Sequence, residues 1–226
     1  MGATKIGIIA EGPIDQALLP ALLERIACDR AQFRWPVSPE DATSSLRMRK
    51  RGHGGVLVAV RQIVNFLKRS SLFSYFAFFV ILLDRRTKPV QDEVRKLVRE
   101  SDRFVVGIAI EEIEAWWLGD RASTLAFLQL SDALPSELRY ADPNYKAEQD
   151  PHPKKTLDEL TQVSGAVDST YGQGHVGIAT DFARGWRDTA QLDSIEWQCP
   201  KGFGAFCRDA TNEFRRSKAK AGLLFS

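Results

Sequence analysis

The chain has 226 residues, 44% of them hydrophobic and 27% charged, with a formal charge of +2. That is enough chain for one large domain or a domain with an appendage, and the near-neutral charge excludes a histone-like polycation and an acidic tail protein. Three cysteines without CxxC spacing (Cys28, Cys199, Cys207) exclude a disulfide scaffold and a thiolate zinc site.

Residues Lys5 to Ala10 form a short apolar run, the pattern of a strand buried on both faces, and end at Glu11-Gly12-Pro13. Residues 14 to 27 carry leucine and isoleucine at helical spacing, with Pro20 inside. A second short strand is expected at Gln32 to Val37. Residues 38 to 55 read as a polar, then basic loop, and Val56 to Lys68 as an amphipathic helix. Phe76 to Leu83 is the strongest strand signal, rich in aromatic and β-branched residues, and is too short to span a bilayer. Residues 89 to 100 form a helix opened by proline, and Phe104 to Ile110 a further buried strand. EEIEAWWLGD then starts a helix whose acidic first turn suits the helix dipole.

This alternation predicts a parallel α/β domain over residues 1–120 with right-handed crossovers. Residues 121–226 show helical pieces between Pro/Gly-rich loops and no strand, which predicts a helical C-terminal extension packed on the sheet. The amino terminus has no signal-peptide pattern, so a cytoplasmic protein without a membrane partner is expected.

Ligands of open parallel sheets bind beyond the carboxyl ends of the strands. Three strands here end on acids: Glu11, with Asp15 a turn later; Asp84; and Glu111, Glu112 and Glu114. Clustered carboxylates repel unless a proton or cation lies between them, and hard oxygen donors favour Mg²⁺ or Mn²⁺ over zinc. The plainer reading of each acid alone is a helix cap or first-turn charge. Arg47, Arg49, Lys50 and Arg51, beside Gly52, Gly54 and Gly55, form a basic loop that suits a phosphate backbone or is merely solvated. No P-loop or dinucleotide fingerprint is present. Trp116 and Trp117 read as core, and His152 and His175 as loop residues.

Glu11-Gly12 with Asp15 resembles the EGxxE/D signature of Toprim domains, and Asp84 stands where that fold carries its DxD motif. Residues 110–120 resemble the E-x-E-A-W-x-x-x-D signature of the Toprim-like domain of unknown function 4276 family. Lys154-Lys155-Thr156 and residues 171–179 resemble that family's C-terminal part. The resemblance implies a Toprim-like (Rossmann-like) fold and a metal-dependent hydrolase, an endonuclease acting on DNA or RNA. It implies Mg²⁺ or Mn²⁺ held by Glu11, Asp15, Asp84, Glu112 and Glu114, with Glu11, Asp84 and Glu112 catalytic. Arg86, at the second DxD position, departs from the motif: a cation there either removes a metal ligand, leaving a one-metal or inactive site, or contacts the scissile phosphate. Lys154 and Lys155 join it as phosphate contacts. By analogy the chain serves in a prokaryotic phage-defence or mobile-element system beside a separate ATPase. The competing expectations are a catalytically weak nucleic-acid or partner-binding module, and an enzyme acting on a small phosphate ester.

Overall fold

In a computed structural model, the structure describes residues 3–33, 36–42, 53–69, 75–85, 88–99 and 103–223. Four parallel strands, β1 (Thr4–Ile9), β2 (Val37–Asp41), β3 (Phe76–Asp84) and β4 (Phe104–Ala109), form one sheet in the order β2-β1-β3-β4. Their connections hold α1 (Pro13–Asp29), α2 (His53–Arg69) and α3 (Lys88–Val98). The chain continues through α4 (Glu114–Gly119), α5 (Arg121–Phe127), α6 (Pro153–Val163), α7 (Tyr171–Thr189), α8 (Leu192–Gln198) and α9 (Phe203–Leu223). The expected α/β architecture, with a parallel sheet flanked by helices, is the observed one.

The two faces of the sheet follow from strand alternation. Ile6 and Ile8 of β1, Phe78, Val80 and Leu82 of β3, and Val105 of β4 pack in one core with α1 and the later helices. Ile9, Phe79, Ile81, Leu83, Phe104 and Val106 pack in a second core with α2 and α3. Phe76 belongs to the second core, although it precedes Phe79 by an odd number of positions. The register explains this: Lys5 pairs with Phe76 and Ile6 with Phe78, so β3 carries one extra residue, a bulge that resets side-chain parity.

β1 to β2 runs toward one edge with α1 on the first face. β2 to β3 and β3 to β4 run toward the other edge with α2 and α3 on the second face. Right-handed crossovers require this change of face when the direction reverses. The reversal lies between β1 and β3, and a crevice therefore opens beyond their carboxyl ends.

Residues 121–223 contain no strand among those described and complete the first face. Phe206 and Phe214 of α9 and Trp186 of α7 share the core with Ile6, Phe78 and Val105. The indole of Trp116 stacks on Phe206 at 5.2 Å between centroids, and that of Trp117 on Phe182 at 4.2 Å. Both tryptophans are fully buried, as expected of core residues.

The expected strand at 32–37 is corrected. Gln32 and Phe33 lie outside any strand, residues 34 and 35 outside the described ones, and β2 takes Val37–Asp41, mostly within the stretch read as loop. Its sequence, VSPED, lacks an apolar run because this is an edge strand with partly exposed side chains. Pro39 is tolerated at a sheet edge, where its missing N–H is not needed by a second neighbour. His175, expected in a loop, lies within α7, and Gly54 and Gly55 fall inside α2. No helix among the described residues is long and apolar enough to cross a membrane.

Candidate functional site at the strand ends

At the carboxyl end of β1 the chain passes through Glu11 and Gly12 into α1. Pro13 takes the first helical position, where its fixed φ suits the helix and no N–H is required. Asp15, two positions on, turns its carboxylate back to accept from the Gly12 amide at 2.9 Å. Asp15 thus performs the ordinary capping role of a first-turn acid and also faces the crevice.

Asp84 ends β3 on the same side of the strand as Phe78, Val80 and Leu82, the α1 side. Its amide donates to Glu11 Oε1 at 3.3 Å, and its carbonyl accepts from Gln91 Nε2 at 2.7 Å. The two acids at the reversal point are therefore joined across the crevice by the backbone of one and the side chain of the other.

Beyond β4, Glu111 adopts a left-handed backbone (φ 66°). This sharp exit separates Glu111 from Glu112 and Glu114, the two acids of this stretch expected at the site. Glu111 faces Arg85, at 3.8 Å, while Glu112 and Glu114 face the crevice. Glu114, the first residue of α4, is 2% exposed, and its Oε1 accepts from the Tyr171 hydroxyl at 2.9 Å. Tyr171 is held in turn by an edge-on contact with Trp117, at 5.6 Å between centroids. The Glu114 and Trp117 positions lie one helical turn apart, so one face of α4 supplies both the acid and the ring that sets its partner.

A cavity of about 470 Å³ gathers these groups: Glu11, Asp15, Asp84, Glu112 and Glu114, with Lys154, Tyr171 and His175. The ammonium of Lys154 lies 3.0 Å from Glu112 Oε1 and 3.8 Å from Glu114 Oε1. Lys154 owes its position to Asp150, a buried carboxylate that accepts from Arg139, Tyr145, Thr156 and the His152 amide just before α6.

Five carboxylates and one ammonium leave the cavity with excess negative charge, and the proton affinities show it. Burial, then repulsion from Asp15, Glu11, Glu112 and Glu114, pushes Asp84 up to about 8. Burial, opposed by the Gly12 amide and assisted by Glu114 and Glu11, pushes Asp15 up to about 7. Burial also raises Glu114, against the pull of Lys154. Lys154 is itself raised: burial disfavours its charge, but Glu114 and Glu112 outweigh that cost. Two carboxyls that change charge near neutral pH in one crevice are the electrostatic pattern of a functional site.

Of the residues singled out in the sequence, Glu11, Asp15, Asp84, Glu112, Glu114 and Lys154 converge on this cavity. Lys155 instead pairs with Glu159 along the exposed side of α6, at 3.7 Å. Arg47, Arg49, Lys50, Arg51 and Arg86 lie outside the described residues. Tyr171 and His175 escaped a specific role in the sequence, although both stand in the stretch 171–179. The signal for Tyr171 was its place just after Thr170 at a helix start, which says nothing of an acid more than fifty residues earlier.

The donor set is all oxygen, hard, and negatively charged in excess, which is the chemistry a hard divalent cation requires. Among the described residues, no three His, Cys, Asp or Glu side chains stand as a preformed coordination group. No protein-family model, curated protein or solved structure matches the chain.

Proposed function

We propose that the chain is a Toprim-like, Mg²⁺- or Mn²⁺-dependent nuclease that hydrolyses phosphodiester bonds of DNA or RNA. The observation that carries this reading is the convergence of five carboxylates at the reversal point of a parallel sheet, with Asp15 and Asp84 driven toward neutral proton affinity. Such a cluster is stable only with protons or a cation between its members. A phosphodiester enzyme uses that need, because the cation that relieves the repulsion also attracts the substrate.

In this reading Glu11 and Asp84 hold the cation, with Asp15, Glu112 and Glu114 completing or orienting the donor set. The cation would polarise a phosphoryl oxygen and make bound water acidic. The remaining work belongs to side chains. Lys154, half exposed beside Glu112, presents positive charge to a non-bridging phosphate oxygen. Tyr171 fixes Glu114 by its hydroxyl. Asp15 is suited to exchange a proton near neutral pH, since burial pushes its pKa up to about 7.

A second reading rests on Lys154. Its ammonium already neutralises the Glu112–Glu114 side of the cavity, so that side has an internal cation where a second metal would sit. This favours one metal over two, or a binding module without turnover. Incubation with plasmid, single-stranded DNA and tRNA in Mg²⁺ or Mn²⁺ separates these. Metal-dependent cleavage that disappears in Glu11→Ala and Asp84→Ala supports the nuclease. Binding without cleavage by any version, including with a candidate ATPase partner present, supports the module. Service in phage defence beside such an ATPase belongs to the same proposal and is tested by the phage sensitivity of cells carrying Glu11→Ala.

A further inference from the structure

The geometry points to a single-stranded nucleic-acid track beside the carboxylate cavity, with Trp197 as its base-stacking platform and Lys146 and Lys201 as its phosphate contacts. This deepens the nuclease reading and rests on its nucleic-acid substrate class.

Four of the five tryptophans lie among the described residues. Trp116, Trp117 and Trp186 are at most 1% exposed, whereas Trp197 is 64% exposed on α8. Leaving a large indole in water forgoes burial that its neighbours on the same helix, Leu192 and Ile195, obtain fully. The ammonium of Lys146 lies over the Trp197 ring. Both residues line a cleft of about 470 Å³ together with Lys201, Arg85, Glu111 and Glu148.

The cleft is built rather than incidental. Gln198 Oε1 accepts from the Ala147 amide at 3.1 Å, which ties the segment carrying Lys146 to the helix carrying Trp197. The Glu148 carboxylate accepts from the Lys201 and Gly202 amides, at 3.2 and 2.6 Å, and so caps the start of α9. Its charge is engaged by backbone, and among the described residues neither Lys146 nor Lys201 has an ion-pair partner.

The cleft also adjoins the carboxylates. The two share no lining residue, but Arg85 and Glu111 of the cleft are the chain neighbours of Asp84 and Glu112 of the cavity, at the ends of β3 and β4. A base stacked on the Trp197 face that Lys146 leaves open places adjacent phosphates near Lys146 and Lys201. Stacking requires an exposed base face, which a duplex hides in its interior, so the platform selects single strands and unpaired ends.

The test is fluorescence anisotropy of a labelled short oligothymidine and of a matched duplex, in EDTA so that cleavage plays no part, with the full chain and with Trp197→Ala, Trp197→Phe and Lys201→Glu. The expected result is preference for the single strand, a loss of roughly tenfold or more in Trp197→Ala, near-parent binding in Trp197→Phe, and weaker binding with a shallower salt dependence in Lys201→Glu. Trp197→Ala binding as tightly as the parent overturns the inference, as does preference for duplex. Failure to bind either form also overturns it and assigns the face to a protein partner. Incubation of the parent chain with the same strand in Mg²⁺ separates the two proposals: single-strand binding that needs Trp197 but never leads to cleavage sustains the track and sinks the nuclease. Metal-dependent cleavage indifferent to Trp197→Ala does the reverse.

Discussion

Asp84 is the residue at which stability and function pull apart. Its folded pKa of about 8 lies above its ordinary value of 3.8. A carboxyl raised in this way contributes its stability in full below about pH 4 and loses it as the pH rises through the folded value. Asp15 behaves alike, with the loss running from about pH 4 and complete near 7. The metal-free protein should therefore be weakened by these two groups as pH rises from 4 to 8. Asp84→Asn removes one of the opposed charges, so in EDTA at pH 8 the variant should melt above the parent, by about 2–4 °C per kcal/mol gained. The gap should narrow steadily below pH 8 and close only near pH 4, where the carboxyl is protonated in the unfolded chain as well. A variant that melts below the parent at pH 8 contradicts the electrostatic account. In the parent, Mg²⁺ should raise the melting temperature at pH 8, and less so at pH 6, where protons compete; Glu11→Ala should abolish the shift.

Among the elements, the strands show most clearly what local sequence can and cannot specify. Gly7 of β1 pairs with Phe79 of β3, and a Cβ at Gly7 would come within 2.3 Å of the Phe79 ring. The ring has little room to yield, because Phe76 and Phe104 pack on it at 5.1 and 5.3 Å. Gly7→Ala should cost about 1–3 kcal/mol, the usual range for overpacking, measured by urea unfolding. Asp120 makes a complementary prediction for the helices. It is fully buried and accepts from the Ser123 amide, the Trp186 indole and the Gln191 amide. Asp120→Ala leaves those donors unpaired, at roughly 1–3 kcal/mol each when buried, and should lower the melting temperature without first disturbing the carboxylate cavity. Strands β1, β3 and β4 were legible because burial on both faces writes a continuous apolar run into the sequence. Strand β2 was not, because an edge strand needs no such run and Pro39 is permitted there. Likewise Glu11 and Asp84 were legible as acids that end buried strands. The grouping of Glu111 with Glu112 and Glu114 was not resolvable, since the left-handed turn that separates them is a single backbone angle. Tyr171 and its partner Glu114 are distant in sequence, and no local pattern links a helix-start tyrosine to an acid on another helix.

At the level of the whole molecule, the first core joins β1, β3 and β4 to α7 and α9. A fragment ending at residue 120 would leave α1 and α4 to cover that face of the sheet without α7 and α9, with Trp116 deprived of Phe203 and Phe206. Such a fragment should lack a cooperative thermal transition by circular dichroism, whereas the full chain should show one. The division of labour in the cavity has a kinetic consequence. All five carboxylates come from the first 114 residues, while the ammonium that tempers them, Lys154, and the hydroxyl that fixes Glu114 arrive on α6 and α7. During synthesis the acidic edge thus emerges before its own counter-charge, and docking of α6 is opposed by nothing but must be awaited. A divalent cation or a lower pH can stand in for the late partner. Refolding from urea should accordingly be faster with Mg²⁺ or near pH 5 than in EDTA at pH 8, and Lys154→Met should widen that difference, so that the single counter-charge on α6 becomes a determinant of how quickly the chain reaches its native state.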